Sequence, residues 1–417
     1  MSVMHIDANS AYLSWTAVDF LEKGYQMDIR TVPAVIAGNP ENRHGIILTK
    51  SIPAKKYDIK TGESLFEAKQ KCPELLIFPP DYDLYLSCSN AMFDILSEYS
   101  PLIQRYSVDE CFLDFTFSEK HFGNSVETAY KIKDRIKHEL GFTVNIGVSC
   151  NKLLAKMASE LQKPDKVHTL FPDEIKDKMW PLPVGELFMV GRATAKKLRK
   201  ININTIGDLA KADVLHMKAL LKSHGELVWN YANGIDYSPV IQNAEIIQKG
   251  VGNSTTIAYD ATTREEVYMV ILSLCERTAM RLRKLGMKAS IVSISLKTNI
   301  FVRYSHQVQL QNFIDSATDI YGYSCLLFNE CWKGEAIRQI GVSVSNFGKN
   351  YNQQLSFLDS KVDDFERNSR LEYTIDDIRK RFGEKAVIRA TFVNNGVEPF
   401  QGGVNDGNYL MMGGYQL

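Results

Sequence analysis

The chain has 417 residues, 45% of them hydrophobic and 24% charged, which is more than one ordinary core holds, so about two to four domains are expected. Lys+Arg and Asp+Glu each total 49, for a formal net charge of zero; this excludes a protein that coats nucleic acid through its overall charge, but not one with a local basic cleft. No apolar run approaches the roughly 20 residues of a membrane span and no secretory leader opens the chain, so a cytoplasmic protein without a membrane partner is expected. The seven cysteines are scattered with no C-x-x-C pair, which argues against a disulfide framework or a zinc site.

Residues 2–8 alternate, with Met4, Ile6 and Ala8 on one face and Val3, His5 and Asp7 on the other. This period of two predicts a strand with Asp7 turned from the core face. Residues 11–79 hold their own pattern: a helix near 11–23, strands near 31–37 and 45–49, and a helix near 63–72, closed by Pro79-Pro80. Two apolar runs around 101–115 flank Asp109-Glu110 and predict a hairpin tip. Ala129, Ile132, Ile136 and Leu140 recur at helical spacing. In 143–149, Val144, Ile146 and Val148 face one way and Thr143, Asn145, Gly147 and Ser149 the other, a sheet packed on one face and polar and open on the other. Together these predict an α+β domain with an antiparallel sheet and helices on one face. Prolines at 172, 181 and 183 mark its exit, and 174–236 read as short helices. A further unit begins near 246, with a helix at 264–285, strands at 289–297 and 337–345, and a helix between them. An Asn/Gln-rich linker follows Phe347, then a helix near 374–382 and a Gly- and Asn-rich end expected to be mobile.

The chemistry concentrates in two acidic stretches, His5-Ile6-Asp7 and Val108-Asp109-Glu110, each where an apolar strand ends. If the strands are neighbours, Asp7, Asp109 and Glu110 converge, and a pair of divalent cations relieves their repulsion. Two Mg²⁺ ions about 3.5–4 Å apart serve phosphoryl transfer. Spacing alone equally allows a solvated turn at Asp109-Glu110 and an ordinary strand-end acid at Asp7.

Three blocks carry a resemblance: Asp7-x-Asn-Ser-x-Tyr12; Tyr106-Ser-Val-Asp-Glu-Cys-Phe-Leu-Asp114; and Gly141-Phe-Thr-Val-Asn-Ile-Gly-Val-Ser-Cys-Asn-Lys-Leu-Leu-Ala-Lys-Met-Ala-Ser through Lys163-Pro164. In order and separation they resemble the Y-family (UmuC/DinB-type) DNA polymerases of bacteria, over about residues 1–347. The resemblance implies a multidomain α+β right hand. Its parts are a ferredoxin-like palm at 1–10 and 80–170, small fingers at 11–79, a helical thumb with a helix-hairpin-helix at 171–240, and an α/β little finger at 246–347. Residues 348–417 would form a C-terminal clamp-binding segment and tail. Asp7, Asp109 and Glu110, helped by the Ala8 carbonyl, would hold two Mg²⁺ ions. Tyr12 would be the steric gate against a 2′-hydroxyl; by itself it reads as an aromatic packing the first turn of a helix.

Thr49, Lys55 and Lys163 are the implied triphosphate contacts, although Ile52 replaces the family's usual Tyr and Lys55 its usual Arg, which would grip phosphate bidentately. Gly191, Arg192 and Lys196 open the hairpin helix implied to hold DNA, in a basic run with Lys197, Arg199 and Lys200; Met189 stands where the family often has its first Gly. Ser254, Thr255, Arg303 and Arg338 are the implied little-finger contacts, beside a basic helix end at Arg281, Arg283, Lys284 and Lys288. Gln354-Leu355-Ser356-Phe357-Leu358 resembles the bacterial sliding-clamp-binding peptide with its last two apolar residues exchanged.

The implied function is error-prone DNA synthesis past damaged bases from dNTPs on a primer-template, without proofreading, tethered by the β clamp. DinB-like and UmuC-like roles stay open, the Ala54-Lys55 pair leaning toward the UmuC side, with its UmuD-like accessory subunits. The rivals are a nucleotidyl cyclase-like enzyme and a catalytically inactive clamp-bound DNA scaffold.

Overall fold

The computed structural model describes residues 1–41, 43, 45–242, 248–348, 362–393 and 396–400, with the side chains of 362–369 left aside; the pentapeptide 354–358 lies outside them. The chain divides into two compact units. Among the described residues, the first holds 1–38 and 46–242, and the second holds 248–400 together with the stretch 39–45. In chain order the strands are β1 (Val3–Ala8), β2 (Ala34–Ala37), β3 (Ile47–Lys50), β4 (Leu76–Phe78), β5 (Ile103–Arg105), β6 (Glu110–Asp114), β7 (Val144–Ser149) and β8 (Val167–Thr169) in the first unit. The second unit has β9 (Gly250–Ala261), β10 (Lys288–Thr298), β11 (Arg303–Ile314) and β12 (Ile337–Gly348).

The first unit is built on a sheet of order β5-β6-β1-β7-β8. It is antiparallel except at its edge, where β7 and β8 run parallel. As the period of two predicts, Met4, Ile6 and Ala8 join Val144, Ile146 and Val148 in one core, under the helices Ala11–Glu22, Tyr82–Ser97 and Ser125–Leu140. The other face is not open. The helix Lys152–Glu160 lies across it, so all of β1 and β7 is buried. The reason is Gly147: a Cβ there would stand 1.9 Å from the Ala155 carbonyl oxygen and 2.5 Å from the Ser159 nitrogen. Only glycine lets helix backbone come so close. That helix is buried along nearly its whole length, because its far side, through Leu153, Leu154 and Met157, joins the core of the following helical region.

Residues 11–79 are less separate than the sequence implies. Leu13, Trp15 and Ala17 pack into the core of the five-stranded sheet. A small sheet of order β3-β2-β4 follows. On β2, Ala34 and Ile36 face the shared core, while Val35 and Ala37 face a second core with Ile47, Ala54, Leu65 and Ala68. Helices Arg192–Arg199, Ile206–Lys211, Val214–Leu221 and Ser223–Ala232 fill the predicted helical stretch.

The second unit is an antiparallel sheet of order β11-β10-β12-β9, with helices Arg264–Lys284 and Ala317–Cys331 packed on one face. The C-terminal helix is longer than its pattern predicts, Val362–Phe382, and the chain after it is part of this unit, since Phe392 and Val397 enter its core. The helix docks through charge: Arg283, nearly inaccessible, bonds both Glu372 and Asp376, and Arg379 and Arg389 bond Glu276.

Gly147→Ala is expected to destabilise the first unit by about 3 kcal/mol, the upper part of the usual range for forced overpacking, read as a lowered thermal midpoint; an unchanged midpoint would mean that the helix is not held against β7.

Candidate active site and nucleic-acid interface

β1 and β6 are antiparallel neighbours, and their register sets Asp7 opposite Glu110. The Ala8 amide donates to the Asp109 carbonyl at 3.0 Å, which carries Asp109 to the same end of the sheet. The two acidic stretches therefore meet. The third carboxylate closest to Asp7 and Glu110 is Glu160, whose oxygen lies within 4.8 Å of theirs. The Asp109 carboxylate instead accepts from the Ser107 hydroxyl. Glu160 escapes a reading by strand ends, because it reaches the cluster from the helix that Gly147 admits.

Two lysines answer these acids. Lys156 donates to Glu110 at 2.6 Å, and Lys163 lies 3.0 Å from Asp7 and 2.9 Å from Glu160. His5 is fully buried beside them. Its Nδ1 lies 2.8 Å from the Ser159 hydroxyl and its Nε2 3.5 Å from Glu110. Burial, then the Lys156 ammonium, pushes its pKa down to about 4, so the imidazole is neutral at pH 7. Burial alone would raise the Glu110 carboxyl, but His5 and Lys156 hold it well below the usual range. Asp7 goes the other way: burial outweighs Lys163 and pushes it up to about 8. Burial also raises Asp109. Crowded, poorly solvated carboxylate oxygens are a donor set that fits hard divalent cations.

Tyr12 opens the first helix after Ser10, whose φ of 49° turns the chain sharply out of β1. Its ring stacks on Tyr85 at 4.4 Å and 8° and meets Tyr82 edge-on. Thr49 lies on β3 and Lys55 on the short helix Ile52–Lys55, where Ile52 and Lys55 are exposed. Lys50, next to Thr49 on β3, has its pKa lowered by loss of solvation and then by Lys55, against Glu63 and Asp58.

In the helical region Gly191 caps Arg192–Arg199 with ordinary extended backbone, while Met189 has a φ of 71°. The left-handed residue thus stands where the family often has glycine, and the turn persists without it. Arg192 and Lys196 are exposed, as are Lys197, Arg199 and Lys200.

On the second unit the residues implied to touch DNA divide. Ser254 faces outward, but Thr255 shares the face of Val251, Asn253 and Ile257, toward the helices. Arg281 and Arg283 are structural rather than free: Arg281 bonds the Gly252 carbonyl and Asn253, and Arg283 is consumed by the C-terminal helix. The outer sheet face is small and polar, with Gly252, Ser254, Ser293, Ser295, Ser305, Gly341 and Ser343. Arg303 lies opposite Lys297 across β10 and β11, and Arg338 stands at the irregularity of β12 between Ile337 and Gln339. Ser254, Lys297 and Arg303 line one groove of about 340 Å³.

Residues 6–160 match the impB/mucB/samB family, 172–203 its HHH motif and 248–357 its C-terminal domain. A protein of Clostridium acetobutylicum named DNA polymerase IV is 49% identical over 94% of this chain and 98% of its own. The chain belongs to the impB/mucB/samB family. DNA polymerase IV 1 of Bacillus subtilis is 34% identical over 92% of this chain and 91% of its own. Among solved structures, the fold is similar to a Y-family DNA polymerase chimera, Dbh-Dpo4(243-245)-Dbh. Its TM-score is 0.73 at 22% identity, over 84% of this chain and 100% of that one. DinB from Sulfolobus solfataricus gives a TM-score of 0.54 at 23% identity, over 84% and 100%. The family is therefore the Y-family of DNA polymerases, and the architecture is the multidomain α+β right hand. The lean toward UmuC from Ala54-Lys55 is overturned: relatives matched over nearly the whole chain are named DNA polymerase IV, and two residues of a four-residue helix cannot outweigh that. Among the described residues, no helix is long and apolar enough to cross a membrane.

A carboxylate whose pKa is higher folded than unfolded holds its proton in the folded state, so its stability contribution is present below about pH 4 and lost as pH rises through the folded value. Asp7→Asn is accordingly expected to raise the thermal midpoint at pH 8 in EDTA by several degrees, on the order of 1–2 kcal/mol, with little gain near pH 4. Equal gains at both pH values would contradict a raised Asp7.

Proposed function

We propose that the protein carries out template-directed, error-prone DNA synthesis past damaged bases, adding dNTPs to a primer 3′-hydroxyl without proofreading. As a member of its family it is a DNA-directed DNA polymerase. The observation that carries the mechanism is the register of β1 and β6, which sets Asp7 beside Glu110 with Asp109 at the same sheet end. Asp7, Asp109, Glu110 and the Ala8 carbonyl would hold two Mg²⁺ ions, which when bound neutralise the triphosphate and steady the attacking and leaving oxygens. Lys163, Thr49 and Lys55 would receive the triphosphate. Tyr12, its ring fixed by stacking on Tyr85, would sit under the incoming sugar.

The five-stranded sheet, at 1–10 and 80–170, is the palm. The small sheet within 11–79 would be the fingers, the helices of 171–240 the thumb, 246–347 the little finger and 348–417 the clamp-binding segment and tail, of which Phe392 and Val397 pack into the second unit's core. Fingers of three short strands support a loosely checked base pair and hence low fidelity. Gly191, Arg192 and Lys196 would contact DNA from the thumb, and Ser254, Arg303 and Arg338 from the little finger, positioning the duplex without reading its sequence. The pentapeptide 354–358 would bind the sliding clamp, whose tethering suits a chain of zero net charge.

Primer extension with Mg²⁺ on a defined template, undamaged and damaged, tests the reading. Wild type should extend both, and Asp7→Ala or Glu110→Ala should lose more than about 100-fold; template-independent products, or full activity in either variant, would sink it. Tyr12→Ala is expected to raise ribonucleotide incorporation about 10-fold or more relative to dNTP; unchanged sugar discrimination would remove Tyr12 from the gate.

A further inference from the structure

We propose that Phe301 is an aromatic platform that holds Lys297 and Arg338, beside Arg303, as a phosphate-binding cluster at the open end of the outer sheet face. This rests on the reading that the second unit carries the primer-template duplex.

Three observations meet at the turn between β10 and β11. The first is its conformation. Phe301 has a φ of 67°. A bulky side chain in the left-handed region is an outlier, because its Cβ crowds the following carbonyl oxygen. Glycine or asparagine would make this turn without that cost. Phe301 is also 61% exposed, between the exposed Ile300 and Val302, so its ring is not serving the core. Strain of this kind persists where the surroundings use the resulting geometry.

The second is what the ring does. The Lys297 ammonium lies 4.3 Å from its centroid and the Arg338 guanidinium 5.1 Å. The ring's negative face attracts both cations, and it fixes long side chains that would otherwise sample many rotamers.

The third is the charge so collected. Arg303 pairs with Lys297 across the strands, and like charges directly opposite destabilise a sheet. Loss of solvation, then Arg303 and Arg338, lowers the Lys297 pKa. Among the described residues none of the three cations is in an ion pair with a carboxylate. Besides Lys297 and Arg303, the groove is lined by Leu296, by Ser254, Ser295, Ser305 and Gln339, and by Tyr304, whose hydroxyl donates to Glu335. Three crowded cations beside a polar groove, none of them ion-paired to a carboxylate among the described residues, form a receptor for a phosphodiester. The platform adds Lys297 and Phe301 to the contacts legible in the sequence.

The test measures binding of the full chain to a primer-template duplex by fluorescence anisotropy over a range of salt. Lys297→Ala should weaken binding and reduce the slope of log K against log salt by about one. Phe301→Leu keeps an apolar side chain but loses the π face. It should raise Kd about 3–10-fold, also with a shallower slope, and Phe301→Tyr should restore both. If Lys297→Ala is defective while Phe301→Leu binds as wild type, the platform is overturned and the DNA-binding reading stands. If Lys297→Ala and Arg303→Ala both bind as wild type with an unchanged slope, the second unit's role in holding DNA falls with it. A Phe301→Leu chain with a lowered thermal midpoint would not pass for a platform defect, because Phe301→Tyr must restore binding and salt slope together.

Discussion

Buried carboxylates need countercharge, and this requirement organises the first unit. The register of β1 and β6 brings Asp7 and Glu110 together where water is scarce. Unpaired, such groups would protonate or unfold the site. The helix Lys152–Glu160 and the turn after it bring Lys156 and Lys163 to them. That helix can lie on the sheet only because Gly147 has no side chain. The same helix turns its other side to the helices of the following region. One close approach therefore sets the charge balance of the site and joins the five-stranded sheet to the helical region after it. The balance is incomplete, since Asp7 stays above its ordinary range while Glu110 is held below it. That asymmetry suits a site whose remaining charge is to be met by cations from solution.

The second unit resolves charge in the opposite way. Its helix side buries a network in which Arg283, Arg379 and Arg389 are matched by Glu372, Asp376 and Glu276. Buried pairs add little net stability, but removing one partner is costly, so the network fixes how the C-terminal segment docks. Its sheet side keeps small polar residues and leaves Lys297, Arg303 and Arg338 without acids among the described residues. Zero net charge over the chain thus conceals local differences: buried ion pairs gather on the helix side of this unit, while Lys297, Arg303 and Arg338 make no ion pair with a carboxylate among the described residues.

What was legible in the sequence followed local periodicity. Alternation in 2–8 and 143–149 is a backbone property, so the faces of β1 and β7 could be read directly. The hairpin tip at Asp109-Glu110 was legible because turns interrupt apolar runs. The same rule separates Ser254 from Thr255, which successive positions on one strand place on opposite faces. Residues whose roles depend on a distant partner were not legible. Glu160 reads as a solvated helix end until the helix is laid across β1. Arg281 and Arg283 read as a basic face until Asn253 and a helix some ninety residues on bond them. Met189 looks like a broken motif, yet its backbone adopts the left-handed turn.

The sequence by itself determined the strand that carries Asp7, the hairpin that carries Asp109 and Glu110, the alternating strand at 143–149 and the family, because each rests on residues near one another in the chain or on motif blocks in fixed order; the helix Tyr82–Ser97 and strands β9 and β11 were not read from it. Only the tertiary structure decided which charges face one another. It chose Glu160 as the third acid of the cluster, Lys156 as the counterion of Glu110, and Phe301 as the neighbour of Lys297 and Arg338. The physical reason is that electrostatic and packing energies depend on distance through space, and a helix or strand placed by a remote glycine or a buried ion pair leaves no periodic trace in the segment it meets.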